Sequence, residues 1–262
     1  MLSAVRERSD YQLNMKDYWR VAAITVAAFC LALAGAGTGK AQNSGGIGGP
    51  GVGISGDISG DKTLITTAKQ NPVTPLGRVD LFNGKDFVGW EFFMKSNAVP
   101  AETWRIEDGI IKCIGKPNGF MRTKQDYRDY KVTVEWRFTK PGNTGVLVHM
   151  QQPDAVWPRC VECQGMHNQQ GDFWLWGGAD FKEPKNFKKN GIERHEKEAE
   201  KAVGEWNTYQ VECAGNNVKV FVNGKLVNEG TECNLSSGMI GIQSEGAEIE
   251  VRKIFVEPVK AL

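Results

Sequence analysis

The sequence has almost no net charge, because 32 Lys and Arg residues are balanced by 31 Asp and Glu residues, for a formal charge of +1. A protein that binds nucleic acid by neutralising phosphates needs a basic excess, so that class is excluded. The chain is not short of apolar residues either, since 40% is an ordinary fraction and argues against disorder. It is rich in Gly (31) and Trp (8), which indicates many turns and either a well-filled core or a stacking surface.

The N-terminal segment has the layout of a secretory signal. Lys16 and Arg20 precede an apolar run over 21–37, and small residues follow it. The run is shorter than the about 20 residues that a membrane-spanning helix needs. We therefore expect residues 1–41 to be a cleaved signal, and Met15, just ahead of the basic residues, is an alternative start of translation. This predicts an exported protein, periplasmic or extracellular, with no membrane association after cleavage; a retained membrane anchor is the less favoured alternative.

The rest of the chain divides into a linker and one domain. Gly-rich steps over 42–78 cannot hold a regular element, so the domain is expected over 79–258. There, apolar and polar residues alternate over 132–138, the pattern of a strand with one buried face, and Asn223-Gly224 is a strong hairpin signal. Residues 192–203 alone have a helical charge pattern, but they lack an apolar stripe and are expected to be a solvated excursion. Further strands are predicted over 146–150, 209–213, 218–222, 240–242 and 247–251. With no alternation of strands and helices, the pattern predicts an all-β antiparallel sandwich or jelly roll in a single domain.

The cysteines favour a structural role. Cys160 and Cys163 match a C-x-x-C spacing, but on a strand they would lie about 10 Å apart on opposite faces. That arrangement disfavours a redox disulfide or a shared zinc ion. Cys213 and Cys233 flank a hairpin, and an exported chain would permit a disulfide between them.

Polar and aromatic residues between 145 and 180 are the best candidates for a binding or catalytic site. If Val161 and Cys163 face the core, Glu162 and Gln164 share the other face. Amides and carboxylates bind hydroxyl groups, and flat indoles cover the C–H face of a sugar ring, so this inventory suits a carbohydrate. The alternative is a solvated sheet face with Trp residues anchoring loops. The candidates are His149, Trp157, Arg159, Glu162, Gln164, His167 and Trp174, with Gln243 and Glu245 in a second patch.

Seven motifs in series resemble one known family, that of the domains of unknown function 1080, also called 3-keto-disaccharide hydrolase domains. The resemblance covers roughly residues 79–257. It implies a concanavalin A-like β-sandwich, whose concave face often carries carbohydrate sites. Thr144 stands where Ser is frequent in the family, and the cysteines around Glu162 are unusual. The motifs are Leu81–Asp86 with Gly89-Trp90, Trp104–Ile110, Gly142–Val146, Glu162–Gln164, Gly204–Tyr209, Val220–Gly224 and Gly241–Gly246.

The activity implied by this resemblance begins with proton removal. A ketone at C3 of a sugar acidifies the hydrogen on C2, so that a base can start elimination of the C1 oxygen, and water then adds. Glu162 or His149 is the expected base, Glu245 is a further catalytic candidate, and the remaining polar candidates would bind oxygen atoms. A divalent metal held by Glu and His is possible, although no ligand spacing indicates one; no other cofactor is indicated. Carbohydrate is the expected partner, and the oligomeric state stays open.

Two other functional classes remain open at this point. One is a direct glycosidase of the same fold, but the E-x-D-x-x-E pattern of the sandwich glucanases is absent. The other is a sugar-binding module without catalytic activity.

Overall fold

A computed structural model describes residues 71–259. Fifteen strands account for nearly all of its regular structure, and the described residues contain only two short 3₁₀ turns, Lys95–Asn97 and Pro100–Glu102. The strands are β1 (Val79–Asp80), β2 (Trp90–Met94), β3 (Trp104–Glu107), β4 (Ile110–Cys113), β5 (Gly119–Thr123), β6 (Tyr130–Phe138), β7 (Gly145–Met150), β8 (Cys160–Gln164), β9 (Phe173–Trp176), β10 (Gly191–Ile192), β11 (Asn207–Ala214), β12 (Asn217–Val222), β13 (Lys225–Gly230), β14 (Met239–Ser244) and β15 (Ile249–Pro258).

The strands form two antiparallel sheets. One has eight strands, in the order β13-β12-β11-β6-β15-β4-β3 with β1 beside β15. The other has seven, in the order β10-β9-β8-β7-β14-β5-β2. Neighbours in each sheet are often distant in sequence, which is the long-crossover pattern of a jelly roll. The predicted all-β, concanavalin A-like sandwich is confirmed.

The main core lies between the two sheets and follows from the period of the strands. Val132, Val134 and Trp136 of β6 point inward and are buried, and Val146 and Val161 do the same from the facing sheet. Their polar neighbours along each strand point outward, as the period of two requires. This alternation decides which side chains are left on the outer faces.

The chain contacts the sandwich upstream of β1. The backbone of Val73 exchanges hydrogen bonds with Asp126 and Arg128, at 2.8 and 3.0 Å. Val73 is therefore held against the domain, although the Gly-rich segment predicted as a linker extends to residue 78. The predicted signal and most of the predicted linker lie outside the described residues. Within 71–259, no helix is long and apolar enough to cross a membrane.

Two local features predicted from the sequence are the hairpin at Asn223-Gly224 and the solvated segment over 192–203. Asn223 and Gly224 connect β12 and β13 with positive φ angles of 51° and 84°, the geometry that the sequence signal predicts. Residues 193–203 form no helix, and Glu193 and Lys197 make only an exposed ion pair.

The cysteines of the described residues are all free and buried. Cys160 packs in a cluster on the outer face of its sheet, whereas Cys163 belongs to the main core, so the prediction of opposite faces is confirmed. The suggested bond between Cys213 and Cys233 is not formed. Burial instead raises the pKa of Cys213 to about 12, as expected for a thiol among apolar neighbours.

Candidate active site

The candidate active site is the outer face of the seven-stranded sheet, around Glu162. In β8, Val161 and Cys163 point into the main core, and Glu162 therefore points outward. Glu162 lies in register with Leu147 of β7 on one side and Trp174 of β9 on the other. It is nevertheless only 2% exposed, because surrounding side chains cover it. The face predicted for Glu162 is thus confirmed, but its carboxyl is enclosed.

A glycine makes room for Gln243, a polar neighbour of Glu162. A Cβ placed on Gly145 would lie 2.7 Å from Oε1 of Gln243 and 3.2 Å from Cγ of Glu162. Any larger residue would therefore separate the two side chains. The Gln243 amide hydrogen-bonds to the Glu162 carboxyl, while its own Oε1 is buried without a partner among residues 71–259. Gln243 and Glu162, which come from distant sequence patches, thus form one unit.

Trp176 provides the second hydrogen bond to Glu162. Its Nε1–H donates to Oε2 of Glu162 at 2.5 Å. The alternation of Trp174 and Trp176 along β9 places both indoles on one face of the sheet, so two tryptophans at positions i and i+2 indicate Trp176 from the sequence as well.

Glu245 adds a second carboxyl to this face. It follows β14 directly, two residues after Gln243, and its backbone pairs with Asn143. Burial raises the pKa of Glu245, and it raises the pKa of Glu162 as well. The negative charge of Glu245 raises the pKa of Glu162 further, which the hydrogen bonds from Trp176 and Gln243 offset only in part. No ion pair joins either carboxyl to a Lys or Arg in the described part of the chain, so the two share a tendency to hold a proton near neutral pH.

Aromatic side chains extend from Glu162 toward the edge of the sheet. Trp174 and Trp176 stack at 6.0 Å with an interplanar angle of 9°, and Trp157 lies 5.7 Å from Trp176. Phe187 meets Trp174 edge-on, and the ammonium of Lys188 lies 5.4 Å from the Trp174 ring. Trp157 and Trp174, both predicted to bind substrate, are therefore brought together next to Glu162.

The loop that carries Trp157 is held down by Arg122. This buried guanidinium donates from Nε and Nη2 to the two oxygens of Asp154, at 3.0 and 2.8 Å, and Nη1 lies 2.7 Å from Glu91. Beneath the loop, Phe120, Leu147, Met150, Cys160 and Met239 form a second, smaller apolar cluster. Arg122 is absent from the residues that the sequence predicts for the site. A charged residue within the buried strand β5 is the signal that would have indicated it.

His149 is not brought to Glu162. The register of β7 and β14 shifts between Met239 and Gly241, and His149 has a φ of 54°, which together mark a β-bulge. The extra residue turns the imidazole inward, where it is 0% exposed and its ring lies 6.3 Å from Tyr130. Burial lowers the pKa of His149 to about 4. Simple alternation would have placed His149 outward, so the bulge is the physical reason for the difference.

Three other predicted residues are held by local contacts. Gln164 shares the outward face of β8 with Glu162, but its Oε1 accepts the backbone N–H of Met166 at 3.0 Å. His167 Nδ1 lies 2.6 Å from Glu200, which joins two loops. Arg159 is exposed just before β8, and its charge acts on Cys233. None of these contacts reaches the Glu162 carboxyl.

The donor set around Glu162 does not suit a metal ion. Among residues 71–259, no group of three or more His, Cys, Asp and Glu side chains is arranged to hold one. The pairing of Glu with His that a metal site would use is absent, because His149 faces the core. The chemistry available here is therefore that of two carboxyls, an amide and indoles.

Comparison with known proteins agrees with this architecture. A curated 3-keto-disaccharide hydrolase of Bacteroides thetaiotaomicron is 32% identical over 91 residues, which is 32% of this chain and 31% of that protein. The alignment thus spans about a third of the relative's length. A crystal structure of a candidate glycosyl hydrolase from Parabacteroides distasonis superimposes with a TM-score of 0.54 at 21% identity, covering 70% of this chain and 94% of that one. A second structure from the same organism gives 0.52 at 22% identity, covering 70% and 99%.

These two structures share the fold. The family model described as the 3-keto-alpha-glucoside-1,2-lyase-like domain matches residues 77–257, which is more than half of the chain and includes every strand but the last residue of β15. The chain therefore belongs to the family of 3-keto-α-glucoside-1,2-lyase-like domains.

Proposed function

We propose that this protein cleaves 3-keto-glycosides by elimination and hydration, with Glu162 and Glu245 as the groups that transfer protons. The observation that carries the proposal is the pair of carboxyls on the outer face of the seven-stranded sheet, Glu162 enclosed and Glu245 half-buried, with no ion pair to a cation within residues 71–259. A carboxyl whose pKa is raised toward neutral pH is suited to remove a weakly acidic proton. The hydrogen on C2 beside a C3 ketone is such a proton.

The proposed reaction uses one carboxyl as base and the other as acid. The ionised carboxylate takes the C2 proton, and the C–H electron pair forms an enolate with the C3 ketone. The enolate electrons then form a C1=C2 double bond and expel the C1 oxygen. This oxygen takes its proton from the second carboxyl, the one that was protonated at the start. Water adds at C1 while C2 regains a proton, and this yields the free 3-keto sugar.

The pair suits this division because ionisation of one carboxyl disfavours ionisation of the other. Burial raises the pKa of both carboxyls, and the charge of Glu245 raises the pKa of Glu162 further. Over the range in which one proton is shared, the site holds one base and one acid at once. This predicts a bell-shaped dependence of kcat/KM on pH, because both fully protonated and fully ionised pairs lack one partner.

The decisive test is Glu162→Gln assayed on a 3-keto-disaccharide, with release of both sugars as the readout. Loss of either proton-transfer group should lower kcat by about 10²- to 10⁴-fold. Glu250→Gln is the matched control, because Glu250 lies on β15 in the other sheet and pairs with Arg137 at 2.6 Å; it should retain activity. Unchanged turnover by Glu162→Gln would remove Glu162 from the mechanism. Running every assay with and without a chelator tests for metal dependence.

A glycan-binding module without catalysis is the second candidate, favoured by the exposed and stacked indoles. Trp157 is 37% exposed beside Trp176, as expected of a platform for a sugar ring. Titration calorimetry with unoxidised glycans, alongside the turnover assay, separates the two candidates. Binding with no turnover of any 3-keto substrate would favour the module.

We further propose that the protein is exported. The basic residues and short apolar run ahead of residue 41 support a cleaved signal. Mass spectrometry of the protein recovered outside the cytoplasm should find a mature N-terminus close to residue 42. Recovery of an uncleaved chain in the membrane fraction would favour the retained anchor.

A further inference from the structure

Three tryptophans form a continuous aromatic surface, which we call the indole ladder: Trp157, Trp176 and Trp174. Neighbouring rings lie 5.7 and 6.0 Å apart, with interplanar angles of 33° and 9°. Two come from β9, and the third comes from the loop between β7 and β8. Rings from two separate segments thus lie next to one another in a row on the outer face, one pair stacked and the other tilted.

The indole ladder begins at the candidate catalytic carboxyl. Trp174 is in register with Glu162, and Trp176 donates its Nε1–H to Glu162. Trp174 Nε1 is itself buried, with no acceptor in the described part of the chain. A buried donor without a partner costs free energy, so its presence beside Glu162 points to an acceptor supplied by a ligand.

The indole ladder runs from a buried end to an exposed end. Glu162 is 2% exposed, whereas Trp157 at the other end is 37% exposed. The group that departs in an elimination has to reach solvent, and the open end of the ladder offers that exit. The groups that handle polar atoms of the reacting sugar, Gln243 and Glu245, lie on the other side of Glu162, at β14.

We propose that the indole ladder is the subsite for the leaving group, and that it takes leaving groups with a flat apolar face: a second pyranose or an aryl group. This inference rests on the proposed function and specifies its substrate class. Indoles stack on the C–H face of a sugar and on an aromatic ring alike. Within residues 71–259, the cation that lies over these rings is Lys188, 5.4 Å from Trp174, so we expect the subsite to select mainly for shape.

The experiment compares three 3-keto-glucosides that differ only in the leaving group: methyl, phenyl and glucosyl. Trp157→Ala should lower kcat/KM for the phenyl and glucosyl compounds by about threefold to tenfold, since one aromatic contact is worth about 0.5–1.5 kcal/mol. The methyl glycoside has no ring to stack and should lose less than twofold. A loss confined to the phenyl compound would identify aryl glycosides as the substrates, and a loss confined to the glucosyl compound would identify disaccharides.

The matched control is Trp206→Ala. Trp206 lies against Arg137 and Arg252, at 4.6 and 4.5 Å, on strands of the eight-stranded sheet, away from the indole ladder. It should leave the ratio of phenyl to methyl turnover unchanged. An equal loss for all three substrates in Trp157→Ala would overturn the assignment, because the indole would then serve the reacting sugar or the fold.

Turnover tests the proposed function, and binding of a phenyl glucoside tests the indole ladder independently. If the wild-type protein turns over none of the three compounds, the proposed function fails, and quenching of tryptophan fluorescence by unoxidised phenyl glucoside then tests the ladder. Saturable quenching that Trp157→Ala weakens would support the subsite. No quenching in the wild-type protein would overturn it.

Trp176→Phe tests the link between the ladder and Glu162. The variant keeps an aromatic ring but loses the N–H that bonds to Glu162. KM for the phenyl glycoside should stay within about twofold, whereas kcat should fall and one limb of its pH profile should move to higher pH. Loss of this donor raises the pKa of Glu162, so the limb that reports ionisation of Glu162 moves to more alkaline pH. An unshifted pH profile would leave Trp176 with a packing role alone.

Discussion

Two pairs of carboxylates, one on the outer face of each sheet, have opposite surroundings. On the eight-stranded sheet, Glu250 pairs with Arg137 at 2.6 Å, and Glu135 pairs with Arg252 at 2.6 Å. On the seven-stranded sheet, Glu162 and Glu245 have each other as charged neighbours and no ion pair within residues 71–259. The first face is an ordinary charged surface. The second holds two carboxyls whose pKa values are raised toward neutral pH, and stability alone would not favour that arrangement.

The pKa values follow this difference. Burial would raise the pKa of Glu135, but hydrogen bonds from Arg252 and Lys253 bring it below its usual range. Burial is the largest effect at Glu162, where hydrogen bonds from an indole and an amide offset it only in part and the pKa is raised. Depth and neighbours therefore act together: Glu162 is enclosed with no ion pair to a cation, whereas Glu135 is less buried and lies beside Arg252 and Lys253.

The largest effect should come from removing the cation beside a buried carboxylate. Asp172 is buried and accepts both the backbone N–H and Nη1 of Arg194, each at 2.9 Å. Arg194→Met should lower the free energy of unfolding by about 3–5 kcal/mol, because it leaves Asp172 unpaired in the interior. Urea denaturation at pH 7 measures this. Lys140→Met, which removes an exposed partner of Glu248, is the control and should have no measurable effect.

Combining Arg194→Met with Asp172→Asn tests whether the unpaired carboxylate causes the loss of stability. It should recover part of the lost stability, since a buried amide costs less than a buried charge. If Arg194→Met alone were neutral, a cation would not be what allows a carboxylate to be buried in this protein. The contrast between the two faces would then lose its physical basis.

The sequence was informative wherever a strand stays regular. The alternation in β8 is enough to predict that Glu162 points outward, and Asn223-Gly224 is enough to predict the hairpin. At His149 the same rule fails, because a single extra residue in β7 reverses the direction of the side chain. Nor does spacing along one strand reveal that Trp176 bonds to Glu162, since that contact depends on the register of β8 with β9.

The next largest effect concerns the pH dependence of stability. The pKa of Glu162 is raised on folding, so the native state binds more protons than the unfolded chain once the pH exceeds the unfolded value of about 4.5. Stability from this group is therefore fully present at low pH and is lost as the pH rises through the folded pKa. Glu162→Gln abolishes this titration, so its stability relative to the wild type should rise between pH 5 and pH 8 by on the order of 2 kcal/mol.

Urea denaturation of both proteins across that pH range provides the measurement. Glu135→Gln should show no trend over that range, because the pKa of Glu135 is lowered and its contribution is lost only as the pH falls below the unfolded value of about 4.5. A difference between Glu162→Gln and the wild type that does not vary with pH would show that Glu162 ionises normally.

A smaller effect is expected from Gly145→Ala. The added Cβ would lie 2.7 Å from Gln243 Oε1 and 3.2 Å from Glu162 Cγ, so one of the two side chains has to move. Overpacking of this kind costs about 1–3 kcal/mol, and it should lower kcat by more than it changes KM. Gly77→Ala is the matched control, because its Cβ would meet nothing within 4 Å. Equal behaviour of the two variants would mean that contact between Glu162 and Gln243 is not needed.

The smallest effect should follow from Glu248→Gln, on the exposed edge of the charged face. Glu248 lies 3.9 Å from Lys140, and both side chains are largely solvated. Water replaces such a partner at almost no cost, so neither the midpoint of urea denaturation nor kcat should change measurably. A clear loss of activity would mean that charges beyond the outer face of the seven-stranded sheet influence Glu162. The site would then have to be explained by the field of the whole domain, and the pair of carboxyls without a cation would not be enough.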